Sequence, residues 1–307
     1  MPLGIALAAP NSVNYVDEIV AQARSVNELG VGSVWFGQRM DYDSPTLAAI
    51  VGREVAGLQV GTSAIPVVGR HPLLVSSQAQ TAQAATHGRY QLGLAVGSTL
   101  AAGAFGASFD RPIARLREFL TAIRELLDTG TADFHGELLT VAPSLPTAVA
   151  GAEPRIPVLV AAMGPQALRV TGELADGTLP YLAGPKTLSS HIVPAITAAS
   201  AAAPRVVAFI PAVVTSDVEG TRAKALQQLA FYERVPSYRR VIELEGASRA
   251  AELALIGSEE TIAAEIQRYY DAGATEVVLT STDLAGPAAQ RRTWALAGEL
   301  AAGSAKG

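Results

Sequence analysis

The chain contains no cysteine. Disulfides, iron–sulfur clusters, thiolate zinc sites and a cysteine nucleophile are excluded together. Charge is scarce too: 17% of the 307 residues are Asp, Glu, Lys or Arg, and the formal net charge is −5. No Lys/Arg cluster offers the footprint that a phosphate backbone needs, so nucleic acid is not an expected partner. Two long segments, 90–109 and 187–204, carry no charge. Glycines break the first, and the second holds Pro194 and His191, so neither reads as a membrane span. The N-terminus MPLGIALAAP lacks a basic leader, and its apolar run is too short for a signal peptide. The expectation is a soluble, cytoplasmic protein.

What the chain does have is apolar residues, 49% of the total. That is enough for a large core, and the length allows one large or two ordinary domains. Only residues 303–307 are expected to form a flexible tail. There is no internal repeat and no low-complexity block.

Short apolar runs alternate with amphipathic stretches along the whole sequence. Eight strands are predicted, at 3–9, 33–37, 58–65, 90–96, 158–161, 178–182, 205–215 and 276–281. Helix signals fall between them. Asn14 caps a helix through Leu29, Ser44–Pro45 opens one to Gly57, and His71–Pro72 opens one to Gly88. Asp110 starts a long one to Gly130. Further helices follow at 166–175, 186–203, 217–233 with more helix to about 254, 258–273 and 287–302, and 132–141 reads as a hairpin or a covering strand. The strands are near-continuous apolar runs, as in parallel strands covered on both faces. Strict alternation with eight strands predicts a single-domain (β/α)8 barrel over residues 1–302. An open doubly wound sheet is the runner-up, weakened because AAPNS after the first strand lacks G-x-G-x-x-G.

In such a barrel, function sits at the carboxyl ends of the strands. Those ends hold no carboxylate pair, no His/Asp cluster with metal-ligand spacing and no lysine. They are small, apolar or neutral polar, and no metal site is predicted. The set lacks the groups for glycosidic, hydrolytic or metal chemistry. It suits an organic cofactor that brings its own reactivity. The stretch 157–186 reads as strand, turn, helix and strand. Its Gly164–Pro165 turn would leave free N–H groups at a strand's carboxyl end, where a phosphate could sit or a helix simply starts. Arg39, after the second strand, is either a bidentate anion holder or a surface side chain. Gln38 beside it is a neutral hydrogen-bonding group. Ser98 follows Gly97 in a Gly-containing loop, a weak phosphate signal. Tyr181 and Asp283 also stand at strand ends and read as structural, as do the four histidines, with His71 the least settled.

Six segments together resemble the luciferase-like monooxygenase family, in particular its deazaflavin (coenzyme F420)-dependent oxidoreductase branch. They are NELGVGSVWFGQ, LQVGTSAIPVVGRHPLLVSSQAQTA, THGRYQLGLAVGS, RPIARLREFLTAIRELLDTGTADFHGELLTV, PVLVAAMGPQALRVTGELADGTLPYL and GSEETIAAEIQRYYDAGATEVVLTS. The resemblance implies a barrel that binds F420 at its carboxyl end, acts on a small-molecule substrate and forms a homodimer. It implies a non-prolyl cis peptide at Ser63–Ala64, behind the deazaflavin ring. It implies ring and tail contacts from Val96, Gly97 and Ser98, and a seat for the phosphate-bearing tail at Ala161, Ala162, Met163, Gly164 and Pro165. Several dehydrogenases of this branch carry a histidine or acid after strand two, where this chain has Gln38 and Arg39. These two are the catalytic candidates, but Arg stays protonated and is no ordinary general base. Lacking an acid/base forgoes roughly 10²–10⁴-fold where a reaction needs one. The expected activity is therefore a reductase delivering hydride to an activated acceptor. An FMN-dependent monooxygenase fed reduced flavin and O₂ is the alternative, and a non-catalytic cofactor-binding barrel a third.

Overall fold

Eight parallel strands close on themselves: β1 (Leu3–Ala6), β2 (Ser33–Phe36), β3 (Gln59–Thr62), β4 (Tyr90–Ala95), β5 (Val158–Ala161), β6 (Gly177–Thr178), β7 (Arg205–Val214) and β8 (Glu276–Thr280). Each pairs with the next, and Leu3↔Val277 closes the ring between β8 and β1. The computed structural model describes residues 1–10 and 12–303. The predicted barrel stands, and the open sheet is excluded by the closure.

Helices α1 (Tyr15–Glu28), α2 (Ser44–Glu54), α3 (Pro72–Ala85), α4 (Pro112–Thr129) and α5 (Pro165–Leu174) follow the first five strands. Their starts are written in the sequence. Asn14 accepts from the N–H groups of Val16 and Asp17, and Pro72, Pro112 and Pro165 open three of the helices. In α4 the buried side chains Leu116, Phe119, Leu120 and Ile123 recur at helical spacing and join the main core, while Leu126 packs against the 132–141 segment. The main core lies between strands and helices, and a smaller one fills the barrel. Inside, Trp35 meets Phe209 edge to face at 5.5 Å. Gly61 makes room for that indole: a Cβ there would lie 2.4 Å from the ring.

The structure revises several boundaries. Asp43, not Ser44, caps α2, accepting from Thr46 N–H at 3.1 Å. A short helix, Thr99–Ala104, replaces the expected loop after β4. The helical stretch after β6 covers 185–199, shorter than 186–203, with one wide turn at Leu188–Ile192. The helix expected over 217–233 covers Val218–Leu229. The helical stretch expected to about 254 covers Pro236–Glu245 and a single tight turn at Ala250–Leu253, and an unexpected strand at Leu255–Gly257 pairs with the end of β7. The hairpin stands, as Phe134–His135 against Thr140–Val141. Gly303 belongs to the last helix, Pro287–Gly303, so it is no tail residue; 304–307 lie outside the described residues. No described helix is long and apolar enough to cross a membrane.

Candidate active site

β3 stops at Thr62, and pairing with β4 resumes at Ile65–Pro66. The register is Gly61↔Gln91 before the gap and Ile65↔Leu94 after it, four residues against three. This is a one-residue bulge. The Ser63–Ala64 peptide inside it is cis. Thr62 repairs the ladder with its side chain: Oγ1 accepts from Gly93 N–H at 2.9 Å and donates to the Gly93 carbonyl at 3.0 Å. Gly93 cannot be larger, since a Cβ would lie 1.8 Å from the Thr62 carbonyl oxygen.

The next two strand ends continue the arc. Gly97 turns the chain with φ +94°, and a Cβ there would lie 2.5 Å from Val68. Val96 is partly buried beside it. Ser98 Oγ accepts from Ala101 N–H at 3.2 Å and so is committed to capping Thr99–Ala104. Ala161 pairs with Ala95 across β4 and β5. Thr178 Oγ1 donates to the Val160 and Ala162 carbonyls at 3.0 and 2.8 Å, fixing the turn into α5. Met163 is partly buried there, and Pro165 is exposed. Gly164 caps α5 with extended backbone and no side-chain hydrogen bond, and a Cβ at Gly164 would meet nothing within 4 Å. The ten cofactor candidates thus lie at or just beyond the ends of three adjacent strands. Ala64 and Ala161 also pack against the barrel-filling cluster.

Gln38 and Arg39 are engaged within their own loop. Gln38 Nε2 donates to the carbonyls of Arg39 and Tyr42, both at 2.6 Å, and its Oε1 accepts from Ser44 N–H and Oγ at 3.1 and 3.0 Å. Arg39 grips Asp41 with two bonds of 2.9 and 3.0 Å, lies over the Tyr42 ring and is 56% exposed. His71 holds structure together: its Nδ1 accepts from Leu73 N–H, and its Nε2 lies 3.0 Å from the Thr140 carbonyl.

On the far side of the mouth, sequence reasoning placed Tyr181 at a strand end and read it as structural, without its partners. Tyr181, just beyond β6, forms edge-to-face pairs with Tyr232 at 5.0 Å and Tyr238 at 5.9 Å. Both partners come from the segment after β7. Tyr181 belongs to the barrel-filling cluster and to the apolar cluster beneath that segment, so it joins the two. Burial pushes its phenol well above the usual range, so it stays a neutral donor. Thr280, at the end of β8, has a buried hydroxyl with no well-formed hydrogen bond among the described residues, although it interacts with the Tyr181 hydroxyl. The only sequence signal was position: both residues stand at strand ends.

A cavity of about 360 Å³ lies at the opposite, amino end of the barrel, lined by Ser33, Gln91, Arg205 and Glu276 among others. A second, about 230 Å³, sits beside Arg70, His71 and Phe105 at the carboxyl side.

Residues 1–276 match the luciferase-like monooxygenase family, and the chain belongs to it. It is 28% identical, over 251 residues and 74% of both chains, to an F420-dependent glucose-6-phosphate dehydrogenase of Rhodococcus erythropolis. Its fold is that of the coenzyme F420-dependent tetrahydromethanopterin reductase of Methanopyrus kandleri, with a TM-score of 0.76, 20% identity and 97% of each chain covered. It is equally that of the oxygenating component of 3,6-diketocamphane monooxygenase of Pseudomonas putida, solved with FMN, at a TM-score of 0.77, 14% identity and 99% and 98% coverage.

Proposed function

We propose that the chain is an F420-dependent oxidoreductase that works as a reductase on a small organic substrate. One observation carries this reading: the arc over β3, β4 and β5 is neutral and small-residued, and it ends on a helix start left without a side-chain cap. The residues fit such a cofactor. Ser63, Ala64, Val96, Gly97 and Ser98 would hold the ring. Ala161, Ala162, Met163, Gly164 and Pro165 would hold the phosphate-bearing tail, where the partial positive charge of α5 favours an anion. When bound, the deazaflavin supplies a carbon that gives or takes a hydride. Gln38 keeps the loop 38–44 in place. Arg39 is free to exchange Asp41 for an anionic group at little cost, because exposed ion pairs are worth about 0–1 kcal/mol.

The name of the Rhodococcus relative supports F420 over FMN. Titration with oxidised F420, followed by its fluorescence, beside a titration with FMN tests the choice. Binding of F420 is expected; tight FMN binding with no F420 binding would move the chain to the monooxygenase reading. A panel of acceptors with reduced F420 tests catalysis. If none oxidises it above the rate without protein, the barrel is a binding protein. We propose a homodimer as well, supported by exposed apolar side chains such as Leu74 and Phe105 beside one cavity. Light scattering checks it.

A further inference from the structure

The top layer of side chains inside the barrel is lopsided. Ala6, Ala64 and Ala161, from the β1, β3 and β5 side, are small, whereas Tyr181 and Phe209, from β6 and β7, are large. Alternation along β8 puts Thr280 in the same layer, two residues beyond Val278 and four beyond Glu276, both of which face inward. Tyr181 and Thr280 are each followed by a non-glycine residue in the left-handed region, Leu182 at φ +55° and Ser281 at φ +50°. Two such conformations on strands flanking β7 are unfavourable locally, and they redirect the chain just after the two hydroxyls. Both hydroxyls interact with each other, and the Tyr181 hydroxyl also interacts with that of Tyr232. Neither is locked: the Thr280 oxygen is still without a well-formed bond. The groups that act on the Tyr181 hydroxyl are Thr280, Tyr232 and Tyr238, all uncharged, and Phe209 and alanines pack beside it.

We propose that Tyr181, steadied by Thr280 and Tyr232, is the catalytic residue that receives the acceptor oxygen of a neutral, flat carbonyl substrate and protonates it. Tyr181 donates its O–H to the carbonyl oxygen and polarises the C=O bond. Where a bound, reduced deazaflavin would supply a hydride to the carbonyl carbon, the C=O π pair would move to oxygen. That oxygen would take the Tyr181 proton and leave as the hydroxyl of an alcohol, the hydride's electron pair having come from the deazaflavin. The phenolate regains its proton from the Tyr232 hydroxyl, which is refilled from water. The hydrogen bond stands on this chain's residues alone; the proton transfer rests on the deazaflavin reading. The tyrosine wall gives the substrate a hydrophobic slot that a charged compound would not enter.

The test uses 4-dimethylaminocinnamaldehyde, a flat neutral aldehyde whose absorption moves to the red when its oxygen accepts a strong hydrogen bond. Mixed with the cofactor-free full chain, it is expected to bind with a red-shifted band. Tyr181→Phe is expected to abolish the shift and weaken binding about tenfold, the worth of one good hydrogen bond. Thr280→Val is expected to reduce the shift without abolishing it. Unchanged near-ultraviolet circular dichroism and unchanged F420 affinity for Tyr181→Phe show that the fold and cofactor seat are intact. An unchanged shift in a folded Tyr181→Phe, or no binding to the wild-type chain, overturns the proposal. Failure of the wild type to bind F420 removes the hydride donor but leaves the aldehyde result standing, so the two failures are told apart. With reduced F420, Tyr181→Phe is expected to lower kcat at least as much as it raises KM.

Discussion

The two mouths of the barrel are built on opposite principles. At the amino end the strong polar groups have partners. Glu276 Oε1 accepts from Ser33 Oγ at 2.6 Å and Trp35 Nε1 at 3.3 Å, and its Oε2 accepts from Arg205 at 2.9 Å. Arg205 in turn donates to Gln91 at 2.7 Å. Asp176 accepts from Arg124, from Arg155 at 2.7 Å and from Val158 N–H at 2.6 Å. The carboxyl end is unfinished. Among the described residues, the buried side-chain atoms lacking a hydrogen bond are on Tyr15, Gln22, Arg70, Arg115, Thr221 and Thr280. All but Gln22 lie at the carboxyl end of a strand, in the loop beyond it or in the first turn of the next helix. The larger cavity is nevertheless at the finished end. Unspent hydrogen-bonding capacity gathers at the carboxyl end, the end at which barrels of this type place their sites.

The largest expected effect is on the finished side. Glu276→Ala strips three donors of their acceptor and leaves Arg205 without its counter-charge, in a site where the carboxylate is 8% exposed. A loss of about 3 kcal/mol is expected in urea unfolding. F420 affinity should stay within about twofold, because mutations at well-separated sites act independently. A folded variant with strongly weakened binding would show that the two mouths are coupled and end the comparison.

Next comes Asp176→Asn, at about 2 kcal/mol near neutral pH. Burial disfavours the Asp176 charge, but Arg124 and Arg155 outweigh it and hold the carboxyl below its usual range. A lowered folded value means stability that is fully present above the unfolded carboxylate's value, about 3.9, and is lost as pH falls through the folded one. Acid unfolding of the Asn variant should therefore be shallower below about pH 4. An acid limb identical to that of the wild type would show that this clamp contributes no pH dependence.

The sequence made the scaffold legible because its signals are local. Apolar runs marked all eight strands, and prolines and Asn14 marked helix starts. The helix at Thr99–Ala104 stayed hidden among alanines and glycines with no amphipathic pattern, and the strand Leu255–Gly257 is too short to show a period. Thr62 and Gly93 were invisible as a pair because their contact joins two strands through space. The same holds for Tyr181, Tyr232 and Tyr238, which separate elements bring together. The cis peptide was reached only through the family resemblance, since nothing in the local composition of GTSAIP demands it.

At the unfinished mouth, Gly164→Asp should split stability from binding. The backbone at Gly164 is extended and its Cβ position is open, so aspartate fits and can cap α5. Stability should rise by a few tenths of a kcal/mol, since glycine is already a fair cap. The new carboxylate occupies the place assigned to the tail phosphate, so F420 affinity should fall about tenfold at low salt and recover partly as salt screens the repulsion. Lost stability together with lost binding would mean a misshapen turn; unchanged binding would move the phosphate elsewhere.

The smallest effect is expected at Arg39. Its charged partner is Asp41, both side chains are more than half exposed, and such pairs contribute about 0–1 kcal/mol. Arg39→Ala should therefore change unfolding free energy by less than about 0.5 kcal/mol. Its value lies in what it says about the substrate. An uncharged substrate held by Tyr181 has no use for a guanidinium, so KM for a neutral aldehyde should move less than about twofold. An anionic substrate would be expected to take Arg39 from Asp41 and lose affinity in the variant by about tenfold or more. Measuring both substrate types on wild type and Arg39→Ala decides which side of the mouth reads the substrate: the loop after β2, with its exposed guanidinium, or the tyrosine wall beyond β6.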